Sequence, residues 1–233
     1  MNLRRFLVSA AACALIVLTG CATKPQLPVP MSQAALSTPG TRVGVAMTAL
    51  PKVDTFFPGA DCLLCLAAAS VANSTLTSYT QALGYEDLPK LKEMAADLLR
   101  KRGLEVTVIA ENIKLEAFTD KPVVEGVNQA RKDFSPLRKQ HGIDKLLLID
   151  LRTIGFQRTY AAYFPTSDPK ATLVGSAALI DLKTLALDWY RPVSVLRASD
   201  GAWDEPPKFP GLSNAYFQMI ELGKDQVLKP FMP

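Results

Sequence analysis

Apolar positions recur along the chain with spacings that change between those of strands and helices. Residues 41–48 alternate as in a β-strand, and residues 61–76 and 88–102 repeat apolar positions at helical spacing. A β-branched run follows at 105–110, and the unbroken apolar run at 144–151 is typical of a strand buried on both faces. This order predicts a βαβ crossover with strand 144–151 at the centre of the sheet.

Residue types at the ends of the helical runs indicate where the helices begin and end. Asp61 and Asp87 precede two of the runs and are predicted N-caps, while Gly103 is predicted to end the second helix. A short helix is predicted near residues 127–140, interrupted or restarted at Ser135-Pro136. A final helix over 212–227 carries Gly223 on its apolar line, which predicts close packing on the sheet.

The C-terminal half contains two long strand patterns. Residues 171–182 and 185–196 are predicted to form a hairpin joined by Lys183-Thr184, and Pro192 indicates an edge strand. The predicted fold class is α/β: a mixed, mostly four- to five-stranded sheet with a C-terminal antiparallel hairpin, packed by about four helices.

The first 21 residues follow a different pattern. Arg4 and Arg5 precede an apolar stretch from Phe6 to Leu18, and Leu18-Thr19-Gly20-Cys21 forms a small-residue cleavage site that ends in cysteine. The apolar stretch would reach only about 20 Å as a helix, short of the ~30 Å hydrocarbon core. The segment resembles a bacterial lipoprotein signal peptide with its lipobox.

This resemblance implies that Cys21 is the lipidation site and carries a diacylglyceryl group on sulfur. Cleavage before Cys21 would free an amine that is then acylated, and several acyl chains anchor a protein stably. Ala22, in place of the aspartate typical of inner-membrane lipoproteins, favours the periplasmic face of the outer membrane. The alternatives are an ordinary secretory signal with a chance cysteine, or an N-terminal membrane anchor.

Three regions follow from these patterns. Residues 1–20 are predicted to be the signal peptide, residues 21–40 the lipidated cysteine and a proline-rich tether, and residues 41–233 a single α/β domain. Proline-rich chain extends about 3 Å per residue, so the tether is expected to act as a spacer of a few tens of ångströms.

Composition argues against a nucleic-acid partner. The chain is 48% hydrophobic and 21% charged, which suffices for a sizeable core. When Arg4 and Arg5 leave with the signal peptide, the 26 basic residues become 24, against 22 acidic ones, and no basic stripe with interleaved aromatics is present.

Cys62 and Cys65 remain in the folded part, because Cys13 leaves with the signal and Cys21 is consumed by lipid. In an oxidising compartment, their spacing predicts a disulfide or two packed thiols. A redox role is the alternative, because a helix N-terminus stabilises a thiolate. With His141 as the single histidine, no metal site is predicted, and no cofactor is expected.

No pattern for nucleophilic or phosphate chemistry accompanies His141, and Asp150, Asp181 and Asp188 are interpreted as turn and edge residues. No catalytic residue is therefore predicted. Aromatic residues near arginine are enriched in interface hot spots, and one such cluster is a candidate partner surface, with partial burial in the sheet as the alternative. Its members are Arg152, Phe156, Arg158, Tyr160, Tyr163 and Phe164.

The apolar strand 146–150 and the hairpin segment 177–189, with its Asp-Leu-Lys-Thr turn and Trp189, resemble periplasmic lipoproteins of the curli-secretion and penicillin-binding-protein-activator group. Those proteins have an α/β domain similar to the N-terminal domain of the TolB family, although their turn usually has glycine where Leu185 stands. The resemblance implies a non-catalytic adaptor or assembly factor that contacts the membrane through Cys21 and binds an envelope protein or itself. The alternative is a periplasmic thiol–disulfide or other small enzyme that uses Cys62 and Cys65.

Overall fold

The computed structural model describes residues 25–37 and 40–232. Five α-helices are assigned in the described chain: α1 (Leu63–Ala72), α2 (Ser74–Gln81), α3 (Leu91–Lys101), α4 (Pro136–His141) and α5 (Pro210–Leu228). The strands are β1 (Arg42–Met47), β2 (Asp54–Phe56), β3 (Glu105–Val108), β4 (Lys145–Gln157), β5 (Tyr160–Ala161), β6 (Phe164–Pro165), β7 (Lys170–Asp181) and β8 (Leu187–Ala198). Short 3₁₀ turns occupy Gln33–Leu36, Leu88–Lys90, Leu115–Ala117 and Lys229–Phe231.

One mixed sheet organises the domain in the order β3-β1-β4-β7-β8, and the short strand β2 also pairs with β4. Strand β1 pairs in parallel with β3 and β4, and β2 is also parallel to β4, whereas β7 pairs antiparallel with both β4 and β8. Strands β5 and β6 form a separate small hairpin. The predicted fold class is confirmed.

Strand β4 lies at the centre of this sheet, as its apolar run predicts. Leu147 and Ile149 contact one hydrophobic core, under α3 and α5. Leu146 and Leu148 contact a second core on the other face, which the segment 109–143 covers. Alternate side chains of one strand thus enter two cores, which explains why the run shows no polar alternation.

Helix α5 packs on β7 and β8 through the apolar line that the sequence predicts. Tyr216, Met219 and Ile220 are fully buried. A Cβ placed on Gly223 would lie 3.0 Å from Leu173 Cδ1 on β7, so the absence of a side chain allows the helix to approach the sheet closely. This confirms the reason predicted for the glycine.

The predicted N-cap Asp61 is wrong, and Asp87 holds its predicted N-cap position without a capping hydrogen bond. The N-cap of α1 is Cys62, one residue after Asp61, and its sulfur accepts a hydrogen bond from the Cys65 amide. Asp87 precedes a 3₁₀ turn and makes no capping bond. Its carboxylate instead accepts hydrogen bonds of 2.7 and 2.9 Å from Lys224 Nζ on α5, a contact between distant segments that local sequence does not encode.

Two predicted helices differ in extent. The helix predicted over 61–76 is split at Asn73, whose side chain donates hydrogen bonds to Ala69 O and to the Tyr160 hydroxyl. The helix predicted near 127–140 forms only at Pro136–His141, since the preceding residues follow an irregular path across the sheet.

The loop between β7 and β8 is longer than the two residues predicted. Asp181 Oδ1 accepts hydrogen bonds from the amides of Lys183 and Thr184, and Leu185 has a φ of 62°. Burial alone would raise the pKa of Asp181, but the donors of Thr184 and Lys183 outweigh it and lower that pKa. With this φ, Leu185 adopts the left-handed conformation that favours glycine.

Residues 25–37 are packed on the domain, so the spacer is shorter than predicted. Val29 and Tyr190 of β8 exchange backbone hydrogen bonds of 2.8 and 3.0 Å, and the Ser32 amide donates to Asp188 O. Ala35 and Leu36 are buried in the main core. The predicted signal peptide and the lipidation site Cys21 lie outside the described residues.

Candidate partner surface

The predicted aromatic and arginine cluster does not form one surface. Phe156 is fully buried because its position on β4 faces α5, and its ring centroid lies 5.9 Å from that of Tyr216. Tyr160 is also buried, and its ring packs edge-on against Phe57. Both aromatics belong to the core, so the prediction of exposure is wrong for these two.

The two arginines of the cluster lie in different places. Arg158 Nη1 donates to Asn73 Oδ1 at 3.1 Å, and its guanidinium stacks 5.0 Å from the centroid of Trp203. Arg158 thus connects the break between α1 and α2 to the loop between β8 and α5. Arg152 is exposed at another site, where its Nε lies 3.5 Å from Asp150 Oδ2.

Tyr163 and Phe164 are the two aromatic members of the cluster that are exposed. They lie at the β5–β6 hairpin, and 74% of the surface of Phe164 is accessible. The Tyr163 hydroxyl is 3.8 Å from Cys62 Sγ, which places the hairpin beside the first turn of α1.

Helix α1 is apolar on all sides, yet most of its surface is exposed. The exposed fraction is 88% for Leu63 and 72% for Leu64, and Leu66 and Val71 are also exposed. The sequence contains no charged residue between positions 62 and 85. A helix that is apolar on every side is normally enclosed by protein or lipid, which is not so for α1 in the isolated chain. The α1 surface is defined by Leu63, Leu64, Leu66, Val71, Tyr163 and Phe164.

A narrow strip holds α1 against the domain. Cys65 and Ala69 are the buried residues of the helix, and they form a small core with Ala60 and Tyr160. The polar contacts of Asn73 fix the C-terminal end. The helix is therefore held in a defined position while its apolar sides face outwards.

The structure joins Cys62 and Cys65 by a disulfide across the first turn of α1. Cys65 is buried, whereas Cys62 is exposed at the N-terminus of the helix. The bond fixes the end of α1 that lies beside Tyr163. The spacing of these cysteines predicts their pairing, whereas the exposed helix after them is indicated in the sequence only by the unbroken uncharged stretch.

A cleft of about 660 Å³ lies on the face of the sheet opposite α5. Its walls include Asp150, Arg152, Ser176 and Tyr190, and Gln26 lies at its rim. Asp150 accepts a 2.9 Å hydrogen bond from Thr48 Oγ1 in addition to its contact with Arg152. Neither histidine nor cysteine lines this cleft in the described part of the chain.

Other reactive side chains are scattered. His141 Nε2 lies 3.5 Å from Glu111 Oε1 at the end of α4, and makes no hydrogen bond. Among residues 25–37 and 40–232, no group of three His, Cys, Asp or Glu side chains is arranged to hold a metal ion. None of the helices in those ranges is long and apolar enough to cross a bilayer.

No protein-family model matches the chain, and neither does any curated protein. The chain is similar to a variant PelC dodecamer from Paraburkholderia phytofirmans, with 12% identity over 88% of this chain and 96% of that chain and a TM-score of 0.38. It is similar to protein XCC0632 from Xanthomonas campestris, of family DUF330, with 13% identity, coverages of 89% and 92% and a TM-score of 0.37.

It is also similar to lipoprotein GNA1162 from Neisseria meningitidis, with 16% identity over 78% of this chain and 99% of that chain and a TM-score of 0.30. All three TM-scores are low, so none of these likenesses bears on the function of this chain. The resemblance to the curli-secretion and penicillin-binding-protein-activator group stays a prediction.

Proposed function

We propose that this protein is a non-catalytic lipoprotein of the outer membrane, anchored through Cys21, that binds an envelope protein through the α1 surface. The exposed apolar helix is the observation that carries the proposal. The leucine and aromatic side chains of the α1 surface are exposed to water in the isolated chain. Removing this apolar surface from water is favourable, so a partner with an apolar surface would bind here.

The chemistry of the α1 surface favours a protein partner. Helices that lie on a membrane surface usually combine an apolar face with a lysine- and arginine-rich face. Helix α1 has no charged residue on any side. Its leucines and the adjoining Phe164 instead resemble the apolar centre of a protein interface, where charged residues are depleted and aromatics enriched.

The rigid mounting of α1 supports this role. The disulfide fixes the first turn, and Asn73 bonds the last turn to Tyr160 and Arg158. A surface already held in its bound shape loses little conformational freedom on association, which favours affinity.

The binding test compares two charge substitutions on exposed leucines. In Leu64→Glu, the carboxylate would be buried in the interface, and recovery of one specific envelope protein with the lipoprotein is expected to fall at least about tenfold. Leu222→Glu on α5 is the matched control and should leave recovery unchanged. Equal recovery with both variants would contradict the proposed binding surface.

Two further measurements complete the test. Metabolic labelling with a fatty acid should mark the native protein and not the Cys21→Ser variant; equal labelling would contradict the anchor. Mass measurement of the detergent-extracted protein distinguishes an envelope partner from a second copy of the chain. If Leu64→Glu converts an oligomer to a monomer, the partner is the chain itself and the proposal is wrong on this point.

The exposure of Cys62 above a buried Cys65 favours a second candidate, a thiol–disulfide oxidoreductase. That function requires the bond to cycle between oxidised and reduced forms. Trapping of a mixed disulfide with a periplasmic protein in Cys65→Ala would support this candidate, and absence of the trapped species would remove it.

A further inference from the structure

The lipid anchor and the folded domain are separated by a short length of chain. Cys21 precedes Pro25 by four residues, which span at most about 14 Å when fully extended. From Gln26 onwards the chain is bonded to the domain, because Gln26 Nε2 donates to Asn128 Oδ1 at 3.2 Å and Val29 pairs with Tyr190. Gln26, five residues after Cys21, must therefore stay within about 18 Å of the anchored residue.

An exposed apolar patch lies at this place. Val123, Val124 and Val127 are each about half exposed, and they line a small depression together with Gln26. Leu27, next along the chain, is more exposed still. These four apolar residues are called the valine patch, and Gln26 and Leu27 are among the described residues nearest in sequence to the anchor.

The charges around the patch are nearly balanced. Lys121, Glu125 and Arg131 are the charged residues between positions 121 and 131. At the base of this segment, Lys132 Nζ pairs with Asp120 Oδ1 at 2.8 Å. Attraction to a surface would therefore come from apolar burial and depend little on salt.

We propose that the valine patch docks on the lipid bilayer that holds the acyl chains of Cys21. This inference rests on the proposed lipid anchor, and it adds an orientation of the domain. The bilayer is the occupant because the anchor keeps it permanently within reach, so docking is intramolecular and requires only a small apolar surface. A second copy would have to diffuse to the patch.

The test uses the full lipidated protein in vesicles of phosphatidylethanolamine and phosphatidylglycerol. An environment-sensitive fluorophore is attached at Val124→Cys under non-reducing conditions, with Cys62 and Cys65 kept in their disulfide. Leu222→Cys on α5, of similar exposure, is the matched control, and Val71→Cys reports on α1. Quenching by spin-labelled lipids and by aqueous iodide measures which positions contact the bilayer.

We expect the lipid quencher to reduce the emission at Val124 at least about twofold more than at Leu222, and iodide to quench Leu222 more strongly. Equal quenching at the two sites would overturn the docking proposal. Quenching at Val71 in place of Val124 would put the bilayer on the α1 surface and also overturn it. The mass of the protein shows separately whether Cys21 is acylated, so failure of the anchor is distinguishable from failure of the docking site.

A second variant tests the cause of docking. With the label at Leu27→Cys, the exposed substitutions Val123→Asp and Val127→Asp should abolish lipid quenching while the protein stays bound to vesicles through its acyl chains. Raising the salt concentration should leave the quenching of the parent label unchanged. Loss of quenching in high salt, or its persistence in the double variant, would show that apolar burial does not hold the domain there.

Discussion

Helices α5 and α1 are both rich in apolar residues, but the sheet covers most apolar side chains of one and few of the other. In α5 the apolar residues form a stripe that faces β7 and β8, and Glu221 and Asp225 lie on the opposite side. In α1 the apolar residues lie all round, and Cys65 and Ala69 alone are buried. Apolar content therefore does not determine burial within one chain: a stripe can be covered by one neighbouring layer, whereas a helix apolar on all sides requires a second.

The largest expected effect lies in α5. Tyr216→Ala removes a fully buried ring that packs on Phe156 and a hydroxyl that donates to Gly84 O at 2.9 Å. The resulting cavity and the unpaired carbonyl should lower the free energy of unfolding by about 3–5 kcal/mol. Urea denaturation followed by circular dichroism measures the change, and a loss under about 1 kcal/mol would mean that α5 is not an essential layer of the core.

Removal of the disulfide at the start of α1 should lower the free energy of unfolding by a smaller amount. Replacing Cys62 by Ser and Cys65 by Ala opens a very short loop, for which the chain-entropy estimate is about 2 kcal/mol. We expect a lower melting temperature with an unchanged far-ultraviolet spectrum, and a fall in recovery of the envelope partner that is smaller than that of Leu64→Glu, because the first turn of α1 is no longer held in its bound shape. If function is lost while fold and partner binding are intact, the two cysteines carry redox chemistry.

The third prediction concerns Lys224, a buried lysine on α5 that forms salt bridges with Asp87 and Glu221. Burial alone would lower the pKa of Lys224, but its hydrogen bonds to the two carboxylates raise it, and the bonds from Lys224 lower the pKa of Asp87. Asp87 can regain water because its side chain is partly exposed, so Lys224→Met should cost only about 1 kcal/mol at neutral pH.

The pH dependence of this pair follows from the lowered pKa of Asp87. Its contribution is fully present above the unfolded carboxyl value of about 3.9 and is lost as pH falls through the lower folded value. The stability difference between the native protein and Lys224→Met should therefore shrink in acid. Denaturation at several pH values measures it, and a difference that stays constant down to pH ~2 would contradict the pairing.

The smallest effect on stability is expected in α1. Leu63→Ala shortens a side chain that is almost entirely in water, so the free energy of unfolding should change by less than about 0.5 kcal/mol. Recovery of the envelope partner should nevertheless fall. A destabilisation similar to that of a core leucine would show that α1 is covered within the protein.

The sequence predicts those elements whose burial follows from the residue types and their spacing within a short segment. The apolar run of β4, the edge position of Pro192 and the close approach at Gly223 all follow from residue type and spacing, and all are confirmed. Contacts between distant segments were not predictable. The ion pair of Asp87 with Lys224 and the burial of Phe156 against α5 depend on which helices and strands pack together. A short stretch of sequence does not contain this information.

For the candidate site, too, some residues are predictable from the sequence and others are not. The cysteine pair and the exposed Tyr163 and Phe164 were singled out from the sequence. The path of residues 25–37 was not, because proline-rich composition indicates extended chain but does not tell whether that chain is free or paired. Val29 is an extended residue whose partner, Tyr190, is more than a hundred positions away.

The pairing of Val29 with Tyr190 also decides how the outermost strand meets other molecules. An open strand edge invites pairing with a foreign strand, which leads to aggregation. Along β8 the amide of Tyr190 is taken by Val29, Pro192 has no N–H, and the amide of Ser194 donates to Gln226 Oε1. Strand addition along positions 190–194 of this edge is thereby hindered, because a foreign strand finds none of the three amides there free to pair.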